Sequence, residues 1–146
     1  MLNGLISPEK FYENKITKET LMAFVGHRFE AVCKTYLKEQ FFKGKMPFFA
    51  ENLGRWWGSN PVLKRPEEID LVAYNEENVL ICECKCTEQP FDEKELRDLQ
   101  DSSLCFEGKT KWFMIFSKNG VSQGVAKIIA DKPEYFTINL NQLYQH

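Results

Sequence analysis

The nineteen residues from Glu68 to Cys86, EIDLVAYNEENVLICECKC, constrain this chain more than any other stretch. Two short apolar runs flank a polar tetrapeptide, Asn75-Glu76-Glu77-Asn78, which is the pattern of a tight β-hairpin. Each run carries charge where a buried strand should carry none. Asp70 stands between Ile69 and Leu71, and Glu83 and Lys85 alternate with Cys82, Cys84 and Cys86. Side chains alternate across a strand, so Glu83 and Lys85 share a face, roughly 7 Å apart along it. Asp70, on the partner strand, can lie beside them. Charged groups inside a sheet are costly unless paired or bound to metal.

Two readings of this triad stand. In the first, the carboxylates of Asp70 and Glu83 supply the oxygen ligands that Mg²⁺ or Mn²⁺ prefers, with water completing the shell. Lys85 then orients the attacking water or stabilises charge developing on a phosphate. In the second, Glu83 and Lys85 form a buried ion pair and Asp70 is a strand-edge acid.

Composition narrows the class. A chain of 146 residues, 43% hydrophobic and 14% aromatic, is expected to form one compact domain. No apolar run reaches the ~18 residues of a membrane span, and the N-terminus lacks the pattern of a signal peptide, which together point to the cytoplasm. With 19 basic and 21 acidic residues the net charge is −2, so there is no global charge argument for nucleic-acid binding. Three of the five cysteines alternate along one strand, a spacing that suits neither disulfides nor zinc. They read as reduced, small hydrophobic side chains.

In chain order, residues 1–16 form a lead-in, with Ser7-Pro8-Glu9 a helix start, and residues 17–146 the domain. A long helix is expected over Lys18–Lys43, capped by Thr17, with Met22, Val25, Phe29, Val32 and Tyr36 as its apolar stripe. Glu30 lies on the shoulder of that stripe, either solvated or reaching into a cleft above the sheet. A first strand is expected within residues 48–57, with Trp56-Trp57 as core anchor and edge cover or as a base-stacking platform. Arg55 is a candidate phosphate contact or the salt-bridge partner of a site acid. Ser59–Pro66 reads as a loop whose Lys64 and Arg65 contribute to a basic rim.

After the hairpin, Gln89-Pro90 breaks the strand and Asp92–Glu107 reads as a helix with Leu96, Leu99 and Ser103 inward. Gln100 lies on its inner side as a further site candidate. Trp112–Phe116 is a fully apolar strand, suited to a sheet covered on both faces. Lys118 follows it, at the strand end where α/β sheets place ligand contacts. A helix over Val121–Ala130, a strand over Tyr135–Leu140 and a short polar tail complete the chain.

Asp, then Glu-x-Lys on the next strand, resembles the PD-(D/E)xK nuclease superfamily of restriction enzymes and Holliday junction resolvases. The usual proline before the acid is replaced by Ile69. The segments GHRFEAVCKTYL, GRWWG, EIDLVAYNEE, ECKC and FSKNG, spread over nearly the whole chain, resemble the C-terminal domain of unknown function of archaeal-type AAA+ ATPases. That resemblance implies a restriction-endonuclease-like α/β fold: a mixed central sheet flanked by helices, in the order α-β-β-β-α-β-α-β. It also implies an ATPase domain N-terminal to this one. No GxxxxGK[ST] is present in this sequence, so ATP binding is not assigned to it.

Carried over residue by residue, Glu30 matches a first-helix acid, Asp70 the strand acid, and Glu83 with Lys85 the ExK pair. Cys86 stands where tryptophan is frequent. The function expected is Mg²⁺- or Mn²⁺-dependent hydrolysis of DNA. Asp70, Glu83 and the Cys84 carbonyl would hold the metal, Lys85 would position water, and Glu30 would assist. Arg55, Lys64, Arg65 and Lys118 would contact nucleic acid. The alternative is a non-catalytic DNA- or protein-binding module that regulates an ATPase, and a third reading is a structural domain for assembly. Apolar surface near the first strand and in the lead-in is expected to be exposed, making a homodimer possible.

Overall fold

The structure is a computed structural model and describes residues 18–145. The lead-in over 1–16, its Ser7-Pro8 helix start, the Thr17 cap and the side chains of Met22 and Val25 lie outside the described residues. Helix α1 (Lys18–Phe42) is followed by strands β1 (Asn52–Asn60), β2 (Arg65–Tyr74) and β3 (Asn78–Lys85). Helix α2 (Glu93–Ser102) runs into a short 3₁₀ turn, Ser103–Cys105. Strand β4 (Thr110–Ser117), helix α3 (Gln123–Ile129), strand β5 (Tyr135–Asn139) and helix α4 (Leu140–Gln145) complete the order.

The strands form one sheet in sequence order. β1, β2 and β3 are an antiparallel meander, while β4 joins β3 and β5 joins β4 in parallel. The change of direction at β3 follows from the connections. The three-residue turn between β2 and β3 permits only antiparallel pairing, whereas α2 is long enough to carry the chain back for a parallel strand. Asn75 shapes that turn, its Oδ1 accepting the amides of Glu77 and Asn78 at 2.9 and 2.7 Å.

Helices cover both faces, which is why β3 from Val79 to Cys82 and β4 from Phe113 to Ser117 are apolar or small and buried throughout. One core joins Phe29, Cys33 and Leu37 of α1 and Leu143 of α4 to Leu71, Ala73, Leu80, Cys82, Met114 and Phe116. The other joins Leu96 and Leu99 of α2 and Val125 of α3 to Ile69, Val72, Ile81, Phe113 and Ile115. Each strand feeds alternate residues to the two cores. In α1 the deepest line is Phe29, Cys33 and Leu37, four residues apart, with Val32 and Tyr36 beside it. The expected stripe is therefore rotated toward the cysteine. α1 ends in a Schellman motif: Gly44 (φ 70°) adopts the left-handed conformation, and the amides of Lys45 and Gly44 donate to Gln40 and Phe41.

Three expectations need correction. Ser59–Pro66 is not a loop: β1 continues to Asn60, β2 starts at Arg65, and only four residues turn between them. Asn60 is the reason. Its buried side chain accepts the amides of Val62 and Leu63, both at 3.0 Å, and donates to the Asp101 carbonyl at 2.9 Å. The first strand accordingly spans 52–60 rather than lying within 48–57, and Phe49 precedes it, exposed. The polar tail is helix α4. Asn139 and Gln142 cap it reciprocally at 3.0 and 2.8 Å, and Leu143 is fully buried. No helix among the described residues is long and apolar enough to cross a membrane.

Candidate functional site

The site begins with an irregularity in β2. Gly54 is opposite Val72 but Trp56 is opposite Ile69, so β2 carries one more residue than β1 across this step. Alternation is broken there, and Ile69 and Val72 contribute to the same core although they are three positions apart. The β2–β3 ladder also stops at Leu71↔Cys82, one step before Asp70 would face Glu83. Asp70 thus sits where β2 bulges and the two strands part.

Asp70 lines a cleft of about 210 Å³ between α1 and the sheet, together with His27, Glu30, Ala31, Lys34, Arg55 and Leu71. Arg55, on β1, reaches across it. Its Nη1 lies 2.7 Å from Glu68 Oε1, and its Nη2 lies 3.5 Å from Glu30 Oε1 and 3.6 Å from Asp70 Oδ1. Of the two readings of Arg55, the salt bridge to the acids is what the geometry contains. The Glu30 carboxyl is pushed above its ordinary value, first by burial and then by the charge of Asp70, while Arg55 and His27 pull it back. Glu30 is thus not a solvated acid on an outer helix face; it leans into the cleft.

Glu83 and Lys85 share the opposite, α2-facing side of β3, as alternation requires. Glu83 borders a small cavity of about 70 Å³ with Glu68, Asp98, Leu99 and Ser102. Its carboxyl is pushed up to about 7, first by burial and then by the negative charges of Asp70, Glu95, Glu30 and Asp98. Lys85 Nζ donates to Glu95 Oε1 at 2.5 Å, and the same oxygen accepts the Asp92 amide at 3.0 Å. Lys85 is therefore tied to the capping box that starts α2. The buried Glu83–Lys85 ion pair of the second reading is not formed; Lys85 pairs with Glu95 instead.

Cys84 points to the α1 side, its thiol against that of Cys33, and burial with this contact drives it strongly toward the neutral form. All five cysteines are free. The remaining candidates lie apart from the cleft. Arg65 pairs with Glu67 at 2.7 Å, Lys64 turns the hairpin with φ 56°, and Lys118 pairs with Glu88 at 2.7 Å. Gln100 donates to the Tyr135 hydroxyl at 2.8 Å, on the flank of β5. Trp56 packs on Phe106 at 4.8 Å between ring centres, whereas Trp57 is 70% exposed. A Cβ at position 58 would come within 2.8 Å of the Trp56 ring, which is why glycine stands there.

His27, Lys34, Glu68 and Glu95 were not singled out by sequence reasoning. Lys34 was legible as the residue one helical turn after Glu30, and Glu95 as the third residue after a capping Asp92. Ser117 also escaped notice. It is opposite Lys85 in the β3–β4 register, buried, and its hydroxyl has no hydrogen-bond partner among the described residues.

Residues 5–99 match the family model DUF234, archaeal and bacterial proteins of unknown function. The chain belongs to this family. The matched segment contains Glu30, Arg55, Asp70, Glu83, Lys85 and Glu95, and ends within α2. No curated protein matches the chain. The fold is similar to the crystal structure of AF1548, a protein of unknown function, with a TM-score of 0.51 and 17% identity over 76% of this chain. The chain spans 57% of the length of that protein, and the likeness is one of fold.

Proposed function

We propose that this domain hydrolyses phosphodiester bonds in DNA with Mg²⁺ or Mn²⁺, as the resemblance to PD-(D/E)xK nucleases implies. One observation carries the reading. Asp70, freed from the ladder by the bulge, is the strongest charged neighbour of both Glu30 and Glu83. Glu30 in the α1-side cleft and Glu83 on the α2-facing side of β3 thus both feel the repulsion of Asp70 where the strands part, and a divalent cation bound to Asp70 would relieve it.

The donor set fits a hard cation, since it consists of carboxylates with a backbone carbonyl, at Cys84, on the same strand. Among the described residues no three His, Cys, Asp or Glu side chains gather closely enough to enclose an ion. Magnesium commonly keeps several waters and takes only one or two carboxylates, so Asp70 and Glu83 would suffice as side-chain ligands. Bound there, the ion would supply charge stabilisation for the phosphoryl group and acidify a water. Without the ion, burial and the surrounding acids raise the proton affinity of Glu83, and ligation would require it to give up that proton. Lys85, on the same face of β3, is held by its ion pair with Glu95. His27, Lys34 and Arg55 give the cleft cationic groups able to receive a phosphate backbone. An ATPase domain preceding this one, as the resemblance implies, would couple cleavage to nucleotide hydrolysis elsewhere in the protein.

A second reading, a non-catalytic DNA- or protein-binding module, is favoured by one feature: Lys85 is engaged with Glu95 rather than with Glu83 or Asp70. Cleavage assays separate the two. Supercoiled plasmid, linear duplex and branched DNA should be cut with Mg²⁺ or Mn²⁺ and not in chelator. Asp70→Asn, Glu83→Gln and Lys85→Ala should each lose about a hundredfold or more, as removal of one transition-state contact does. Absence of metal-dependent cleavage on all substrates, with salt-sensitive DNA binding retained, would assign the module instead.

A further inference from the structure

Arg55 is held unevenly. Its Nη1 makes a short charge-assisted hydrogen bond to Glu68, at 2.7 Å. Its Nη2 is shared between Glu30 and Asp70 at 3.5 and 3.6 Å, beyond good hydrogen-bond distance. The guanidinium is planar and rigid, so anchoring one branch fixes where the other points. Of the carboxylates served by the loose branch, Asp70 is the one a divalent cation would compete for, with Glu30 the assisting acid beside it. Glu68 is the most exposed of the three, at 58% against 30% for Glu30 and 33% for Asp70.

We propose that Arg55 is a counter-ion latch. It competes with a divalent cation for Asp70, beside Glu30, and on displacement offers its Nη2 branch to a phosphate while Glu68 retains Nη1. This inference rests on the metal-site reading of Asp70 and adds to it. Without a cation, Arg55 offsets part of the Glu30–Asp70 repulsion. With one, the same guanidinium becomes an electrophilic contact at the cleft wall, alongside Lys34 and His27, which line the same space. The arrangement couples the two ligands: metal loading raises affinity for a phosphodiester, and by linkage a phosphodiester raises affinity for metal.

Mn²⁺ binding measured by calorimetry, with no nucleic acid present, tests the latch. Arg55→Gln should bind Mn²⁺ about three- to tenfold tighter than wild type, the range expected for removing a partly exposed competing cation. Asp70→Asn should lose binding in both backgrounds. On wild-type protein, the Arg55 side-chain ¹⁵N–¹H signals should shift during Mg²⁺ titration with the same midpoint as binding; this readout needs no variant. With Mg²⁺ present, wild type should bind a non-cleavable phosphorothioate duplex about tenfold tighter than Arg55→Gln does, a loss typical of one charged contact. If Asp70-dependent binding is equal or weaker in Arg55→Gln and the Arg55 signals do not move, the latch is wrong and the metal site stands. If neither protein binds Mn²⁺ through Asp70, the metal reading fails and the latch falls with it.

Discussion

Replacing Glu83 by glutamine should make the protein more stable at pH 8 and change it little at pH 5. The native carboxyl holds its proton to about 7 instead of an ordinary 4.5, because it is buried among Asp70, Glu95, Glu30 and Asp98. The unfolded chain releases that proton near the ordinary value, so between the two the native state binds more protons. The stability that this proton contributes falls as pH rises through this window and is fully lost above about 7. A gap of about 2.5 pH units, at 1.36 kcal/mol each, amounts to about 3 kcal/mol. Glutamine mimics the protonated acid in shape and cannot ionise, so it escapes the penalty.

Urea or thermal unfolding in chelator, at intervals from pH 5 to 8.5, reads the effect. The variant should gain about 3 kcal/mol at pH 8, or roughly 10 °C in Tm for a chain of this size, and less than about 1 kcal/mol at pH 5. Saturating Mg²⁺ should shrink the gain, because a cation beside Glu83 favours the ionised wild-type acid. A variant whose stability parallels wild type at every pH would refute the reasoning, since Glu83 would then be an ordinary solvated carboxylate.

Other expectations concern the frame that holds the site. Asn60→Ala should cost about 2–3 kcal/mol in urea unfolding, because it leaves the Asp101 carbonyl and two turn amides without their partner. Trp56→Ala should cost about 3 kcal/mol, as loss of a large core aromatic does, and Trp57→Ala should stay within about 0.5 kcal/mol. Titration of freshly unfolded, non-reduced protein with a thiol reagent should find all five cysteines free, and three or fewer would contradict the packing of Cys33 against Cys84 as thiols. Trp57, on the outer strand, gives the protein an apolar surface for self-association. Light scattering over a concentration series should show the weight-average mass rising, and Trp57→Ala should suppress the rise.

Much of the fold was legible because local chemistry and burial agree. The period of α1, the Asn75 turn, the Gln89-Pro90 break before α2 and the apolar run of β4 each name their own element. The elements misread are those whose determinant is a partner distant in sequence. Asn60 looks like a loop residue until Asp101 is brought beside it, 41 positions along. Leu143 looks like part of a polar tail until α1 supplies a core for it. The Asn139–Gln142 capping box was readable in principle and marks that helix locally.

For the site, spacing alone put Glu83 and Lys85 on one face of a strand and Asp70 on its neighbour, since a two-residue period leaves no choice. What each charge meets was decided elsewhere. The bulge that frees Asp70 shows itself only in the register of β1 against β2, because no single residue in IDLV announces it. Arg55 comes to Glu30 from 25 residues away, and Lys85 to Glu95 from the next helix. Sequence therefore determined which side chains bear charge in the sheet and on which face they start. Tertiary structure decided which of those charges neutralise one another and which are left in conflict, because electrostatic energy depends on distance and burial across elements that the order of residues does not reveal.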